Sequence, residues 1–240
     1  MLNPELDFAQ LAAAFARTHR IQIPDVLVPE AAERLYECLV HEVPWGIAFT
    51  DGEKSRYLRA DETKAFDQTA WMDIAGKAHN RSIGKHQFRF AYNSYMMVEA
   101  HKEGRDPGLI LHHVLEFLNS EEFLDLMRRV TQCADVRLAM AQATRYIPGH
   151  FLTKHNDIVD KQYRRVAYVL NMTKNWRADW GGLLQFTDEQ GNVVDTFMPT
   201  FNSLVLFEVP MWHYVSYVAP FALHGRYAIT GWGLSRPNDP

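Results

Sequence analysis

The chain has 240 residues, 25 lysines and arginines against 29 aspartates and glutamates, a net charge of −4 and 47% hydrophobic residues. Length and hydrophobic content suit one packed domain, or a domain with a large flank. The slightly acidic balance, with no basic run, excludes a non-specific nucleic-acid footprint. Met1-Leu2-Asn3-Pro4-Glu5 lacks the basic and apolar regions of a signal peptide, and no apolar run approaches the ~20 residues that span a bilayer. The expectation is a cytoplasmic protein without membrane contact, in which Cys38 and Cys133 are free thiols.

Residues 4–18 carry Leu6, Leu11, Ala14 and Phe15 near helical spacing and predict a first helix. Ile21-Gln22-Ile23 alternates and predicts a short strand that stops at Pro24. Pro29 to Val40 predicts a helix opened by proline, with Ala31, Leu35 and Leu39 on one side. Trp45 to Phe49 reads as a strand ended by Asp51-Gly52, and residues 61–80 have helical composition. Gln87 to Met97 is aromatic and alternating, which predicts a long strand whose Phe88, Phe90, Tyr92 and Tyr95 pack on sheet faces. Asp106-Pro107-Gly108 breaks the chain. Helices are expected over about 109–118 and 120–132, with Asn119 and Glu122 forming a capping box between them.

From Thr144 onward the pattern changes to short strands at turn-marked spacing. Thr144-Arg145-Tyr146 leads into the Pro148-Gly149 turn and a run that delivers His155. Arg165–Asn171, Trp180–Phe186 (entered through Gly181-Gly182), Ser203–Phe207, His213–Val218 and Gly225–Trp232 follow, with a hairpin turn at Gly191-Asn192. This spacing predicts an antiparallel sandwich or barrel. The whole reads as one α+β domain, 1–240, with a helix-rich flank over 1–134 and a mainly β core over 135–236.

His155-Asn156-Asp157, His213 and Arg226 carry the chemistry. On a strand, residues i and i+2 face the same way, so His155 and Asp157 can chelate one ion while Asn156 points away. Two imidazoles and a carboxylate are the ligand types of the facial triad that holds non-haem Fe(II) with positions left open. Arg226 can clamp a carboxylate through two parallel hydrogen bonds, and Trp232, on the same strand face, would wall that pocket. His-x-Asp alone is a weak signal; its value lies in the ordered context. His150 reads as a turn residue, His224 as exposed, and His112-His113 as structural or solvated.

Tyr146-Ile147-Pro148-Gly149, His155-x-Asp157, Tyr168-Val169-Leu170-Asn171, Trp180-Gly181-Gly182, His213 and Arg226-Tyr227-Ala228-Ile229-Thr230-Gly231-Trp232 resemble the prolyl-hydroxylase-like branch of the Fe(II)/2-oxoglutarate dioxygenases, over roughly residues 136–236. The resemblance implies a double-stranded β-helix (jelly roll) buttressed by N-terminal helices. It implies iron at His155, Asp157 and His213, 2-oxoglutarate on Arg226 with the Tyr146 hydroxyl close by, and ascorbate as reductant. Some prolyl hydroxylases place a second tyrosine where this chain has Val169, with Tyr168 beside it, so that contact does not carry over. Asp157 favours hydroxylation over halogenation. Phe207 is expected near the iron, and Asp179-Trp180 and 157–165 near the substrate. The implied reaction hydroxylates an unactivated C–H, on a prolyl residue of a protein or peptide, with release of succinate and CO2. A free amino acid or other small molecule is the alternative substrate. A non-catalytic jelly roll that binds metal or 2-oxoglutarate is a further alternative. A zinc hydrolase would leave Arg226 unexplained. The oligomeric state is left open.

Overall fold

The computed structural model describes residues 1–79, 88–159 and 163–235. The first half runs α1 (Phe8–Thr18), β1 (Arg20–Ile23), α2 (Pro29–Glu37), the hairpin β2 (Gly46–Asp51) and β3 (Lys54–Leu58), α3 (Ala60–Thr63), α4 (Gln68–Ala78), β4 (Phe90–Tyr95), α5 (Met97–Glu103), α6 (Leu111–Leu118) and α7 (Glu121–Thr131). The second half is β5 (Leu138–Tyr146), β6 (Phe151–His155), β7 (Arg164–Asn171), β8 (Leu184–Thr187), β9 (Val193–Phe197), β10 (Ser203–Glu208), β11 (His213–Val215) and β12 (Arg226–Leu234). The far ends of three sequence predictions, at positions 80, 87 and 236, lie outside the described residues.

Local chemistry explains most element ends. The first helix starts at Phe8 rather than residue 4 because the Asp7 carboxylate accepts the amides of Ala9 and Gln10. Met97, expected to end the long strand, instead opens the helix Met97–Glu103, which is closed by Gly104 at φ 64. The expected capping box does not form. Asn119 instead closes α6: its amide donates to the carbonyls of Leu115 and Ala139 at 3.0 Å, and its Oδ1 accepts the Ala139 N–H at 2.9 Å. Glu122 turns away to accept the Leu2 amide at 2.9 Å. Asn119 thereby ties the helices to β5.

The strands pair antiparallel in the order β1-β10-β7-β12-β5-β4-β6-β11-β8-β9, with β2 and β3 branching from β4. This is a nearly closed jelly roll. Its two ends meet through side chains: Arg20 on β1 pairs with Asp195 on β9 at 2.8 Å, and the Gln22 amide donates to the Met198 carbonyl at 2.9 Å. Strand alternation sorts β7 between two cores. Val166, Tyr168 and Leu170 face the helices, packing with Leu118, Phe123 and Met127; Ala167 and Val169 face the barrel interior with Tyr146, Phe186 and Phe207. Each buried valine, leucine, methionine or phenylalanine among them contributes about 1.5–3 kcal/mol. The helices thus cover the outer face of the large sheet and leave the barrel mouth free. Among the described residues no helix is long and apolar enough to cross a membrane.

Candidate metal centre and co-substrate pocket

His155 ends β6 and His213 opens β11, and the register pairs them directly. Their rings sit side by side, centroids 4.1 Å apart. Each Nδ1 meets a backbone carbonyl two residues earlier, Thr153 at 2.9 Å and Met211 at 2.8 Å. A carbonyl only accepts, so Nδ1 carries the proton and a bare Nε2 points into the site.

Asp157 arrives by a different route from the one strand alternation predicts. The strand ends at His155, and Asp157 has φ 64, in the left-handed region. Asn156 supports the reversal by accepting the Ile158 amide on its side chain at 3.2 Å. The turn brings Asp157 Oδ1 to 3.4 Å from His155 Nε2 and Oδ2 to 3.5 Å from His213 Nε2. The three ligand atoms lie within 4.8 Å of one another.

Burial of Asp157 works to raise its carboxyl pKa, but the neighbouring His155 and His213 imidazoles outweigh it and hold it at about 2. Burial, helped by the neighbouring His155, pushes His213 down to about 4. At neutral pH Asp157 is a carboxylate and His213 a neutral imidazole, the forms that bind metal. Arg164 stacks over the Trp232 ring at 3.6 Å, donates to the Asp157 carbonyl at 3.2 Å and lies 3.5 Å from its Oδ1.

A cavity of about 550 Å³ extends from this cluster to Arg226. Arg226 opens β12 opposite Tyr146, its guanidinium carbon 5.1 Å from the tyrosine ring centre. It is 3% exposed, and its Nε and Nη1 have no partner. Burial pushes its pKa down, and Tyr146 opposes this. A buried cation with idle donors is costly unless an anion completes it. Gly182, at φ 64, a conformation that favours glycine, packs beside Arg226. Trp232 shares the cavity wall; its indole N–H is close enough to favour the Asp157 carboxylate but makes no hydrogen bond. Two nitrogens and one carboxylate fit a divalent first-row metal such as Fe(II), and the idle arginine fits the carboxylate of an acid beside it.

Other expected residues divide. Phe207 packs edge-on to His213 at 4.6 Å. Val169 lines the cavity, whereas the Tyr168 hydroxyl is used on the Met140 carbonyl at 2.7 Å. Of 157–165, Asp157, Ile158, Val159 and Arg164 line the cavity, and residues 160–162 lie outside the described residues. Asp179 and Trp180 do not line it: Asp179 pairs with Arg177 at 3.0 Å, and Trp180 packs on Trp176 and the exposed His224. His150 sits in the turn but is buried, and His112 bonds the Arg105 carbonyl at 2.9 Å. Phe88, Phe90 and Tyr92, read as sheet packing, line the cavity, with Phe88 4.8 Å from His155. Their alternation on one face, ahead of the His-x-Asp segment, was the signal for it.

His155, Asp157 and His213 could hold a metal ion, and the unpartnered Nε and Nη1 of Arg226 belong to a side chain that lines the same cavity. Residues 141–234 match the 2OG-Fe(II) oxygenase superfamily. That stretch is similar to 2-oxoglutarate-dependent dioxygenases, a family that uses Fe(II) and 2-oxoglutarate, and the His155-Asp157-His213 cluster lies within it. A Pseudomonas putida prolyl-4-hydroxylase shares 17% identity at a TM-score of 0.55, over 95% of this chain and 99% of that one. An oxidoreductase of the 2OG-Fe(II) oxygenase family from Burkholderia pseudomallei shares 12% at 0.61, over 99% and 95%. A Trichoplax adhaerens prolyl hydroxylase, solved with a hypoxia inducible factor oxygen degradation domain peptide fragment, shares 18% at 0.53, over 95% and 89%. At these identities the likeness is one of fold. No curated protein matches the sequence.

Proposed function

We propose that this protein hydroxylates a prolyl residue in a protein or peptide, with iron held by His155, Asp157 and His213 and 2-oxoglutarate held by Arg226 and the Tyr146 hydroxyl. The observation that carries the reading is Arg226, a buried guanidinium whose Nε and Nη1 lack partners in the cavity of the His-Asp-His cluster. When bound, Fe(II) with 2-oxoglutarate supplies the oxidation of an unactivated C–H by O2, with release of succinate and CO2. The chain's residues bind, orient and exclude water. Met211 and Thr153 fix the imidazole rings through their carbonyls, Arg226 fixes the acid, and Phe88, Phe90, Val169 and Phe207 make a dry wall. A prolyl substrate is supported by the fold shared with prolyl hydroxylases. A peptide is supported by the rim, where Phe88, Ile158, Val159 and Trp212 expose apolar surface around the mouth. Ascorbate, as reductant, keeps the iron in the ferrous state.

The test is succinate formation by anaerobically iron-loaded protein on exposure to air, with and without proline-containing peptides. Iron-dependent succinate that rises with peptide, together with one added oxygen on a prolyl residue, is expected. A rise with free amino acids alone would move the substrate to small molecules. No succinate despite bound iron would overturn the reading in favour of a binding protein.

A further inference from the structure

One wall of the cavity is a continuous aromatic ladder. His155 meets Phe88 at 4.8 Å, Phe88 meets Phe90 at 5.2 Å, and Phe90 meets Tyr92 at 5.5 Å. Tyr92 stacks nearly parallel on Tyr146 at 5.1 Å, and Tyr146 meets the Arg226 guanidinium at 5.1 Å. Alternation along β4 puts Phe90, Tyr92 and Ser94 on one face, so Tyr92 stands between the metal cluster and the arginine. It is the only phenol on β4 that lines this cavity among the described residues.

Its hydroxyl is oriented from behind. Ser94 Oγ donates to Gln142 Oε1 at 3.0 Å, which fixes the amide so that Gln142 Nε2 faces the Tyr92 oxygen at 3.5 Å and donates to it. A phenol oxygen that accepts from an amide keeps its own proton to give away. Among the described residues nothing in the protein accepts that proton. Burial and the Asp157 charge raise the Tyr92 pKa, so the proton stays on. The position on β7 that could carry a phenol into the cavity holds Val169 instead, and the Tyr168 hydroxyl is already spent on Met140.

We infer that Tyr92 is a further ligand of 2-oxoglutarate, donating its O–H to a carboxylate oxygen of the bound acid beside Tyr146, with Gln142 as the positioning residue that aims it. The inference rests on the 2-oxoglutarate reading above.

The test is 2-oxoglutarate binding by isothermal titration to the Mn(II)-loaded protein, which binds without turning over. Tyr92→Phe keeps the ring and its stacking and removes only the oxygen. It should weaken binding roughly tenfold or more, the loss of one hydrogen bond to a charged group, with the melting temperature of the metal-free protein nearly unchanged. Gln142→Leu, which frees the hydroxyl to swivel, should weaken it in the same direction by a smaller factor. Tyr92→Phe that binds within twofold of the wild type, while Arg226→Met binds poorly, overturns the role of Tyr92 and leaves the site reading standing. A wild type that fails to bind 2-oxoglutarate overturns both. Should Tyr92→Phe melt far below the wild type, Gln142→Leu decides: unchanged affinity there rejects the inference.

Discussion

Replacing Arg226 by methionine should move stability and binding in opposite directions. In the ligand-free protein Arg226 is buried with Nε and Nη1 unpaired. Each idle buried donor costs about 1–3 kcal/mol. Methionine, of similar reach and no charge, removes that cost. Against this stands the contact with the Tyr146 ring at 5.1 Å, which in a dry site is worth up to about 2 kcal/mol. The balance is a metal-free protein about 1 kcal/mol more stable than the wild type, or a rise in Tm of ~2–4 °C for a domain of this size. Binding goes the other way. A carboxylate that meets no cation in a buried site loses about 3–5 kcal/mol, which raises the Kd for 2-oxoglutarate by ~10²–10⁴. Arg226→Lys keeps the charge but not the planar fork, and should lose about one charged hydrogen bond, ~10-fold or more. Thermal melts of the metal-free proteins and titration of the Mn(II)-loaded proteins read the two effects separately. Methionine that binds 2-oxoglutarate within threefold of the wild type refutes the clamp. Methionine that melts several degrees lower refutes the account of Arg226 as a residue kept for its ligand.

Two further predictions test the frame around the site. Burial lowers His150 from 6.5 to about 4, helped by the Arg145 and His79 charges and opposed by the Arg145 carbonyl. Its folded form is therefore neutral, so stability is flat above about pH 6.5, falls as the unfolded state takes up a proton and levels off near pH 4. By about pH 5 the loss is about 2 kcal/mol, and urea unfolding of His150→Leu should have a pH slope shallower by that amount; parallel slopes would reject the buried neutral ring. Gly231 lies on β12 where a Cβ would stand 1.7 Å from the Met140 carbonyl and 2.7 Å from the Tyr168 hydroxyl. Gly231→Ala must break the β12–β5 pairing and should cost more than ~3 kcal/mol; a melt within about 2 °C of the wild type would contradict the register.

The residues with specific chemistry were legible from sequence because their types and order are restrictive. His155, Asp157, His213 and Arg226 gather in one cavity, with Tyr146 and Trp232 on its wall. The late strands were legible because each is bounded by glycine, proline or asparagine and alternates cleanly. What escaped depends on contacts made across the fold. Asn119 looks like a helix start by its spacing to Glu122, but its amide and carbonyl are drawn to Ala139 on β5, twenty residues on. Met97–Glu103 continues an aromatic strand in sequence, yet winds into a helix that buries Met97 and Ala100. Trp180, expected near the substrate because loops at a jelly-roll mouth carry specificity, is followed by two glycines. Those glycines turn it inward instead: Gly181, at φ 70, packs where a Cβ would stand 2.0 Å from the Tyr217 carbonyl.

The two ends of the pocket are held by different means. Arg226 and Trp232 stand on β12, which is paired with β5 from Arg226 opposite Tyr146 to Leu234 opposite Leu138 and with β7 on its other edge. Such a strand cannot shift one side chain without shifting the ladder, so the arginine is fixed before any acid arrives. The metal end is looser. β11 meets β6 only at His213 opposite His155 and Val215 opposite Leu152, with a register shift between them, and Asp157 lies beyond the strand in the left-handed turn. β11 is held on its other edge by β8, from His213 opposite Phe186 to Val215 opposite Leu184, but the β6–β11 seam that joins the two histidines is short. On the proposed reading, an ion shared by His155, Asp157 and His213 ties the end of β6, the turn after it and the start of β11 together. The metal then orders the edge of the mouth as well as supplying its chemistry, while the acid docks against a wall that needed no ordering.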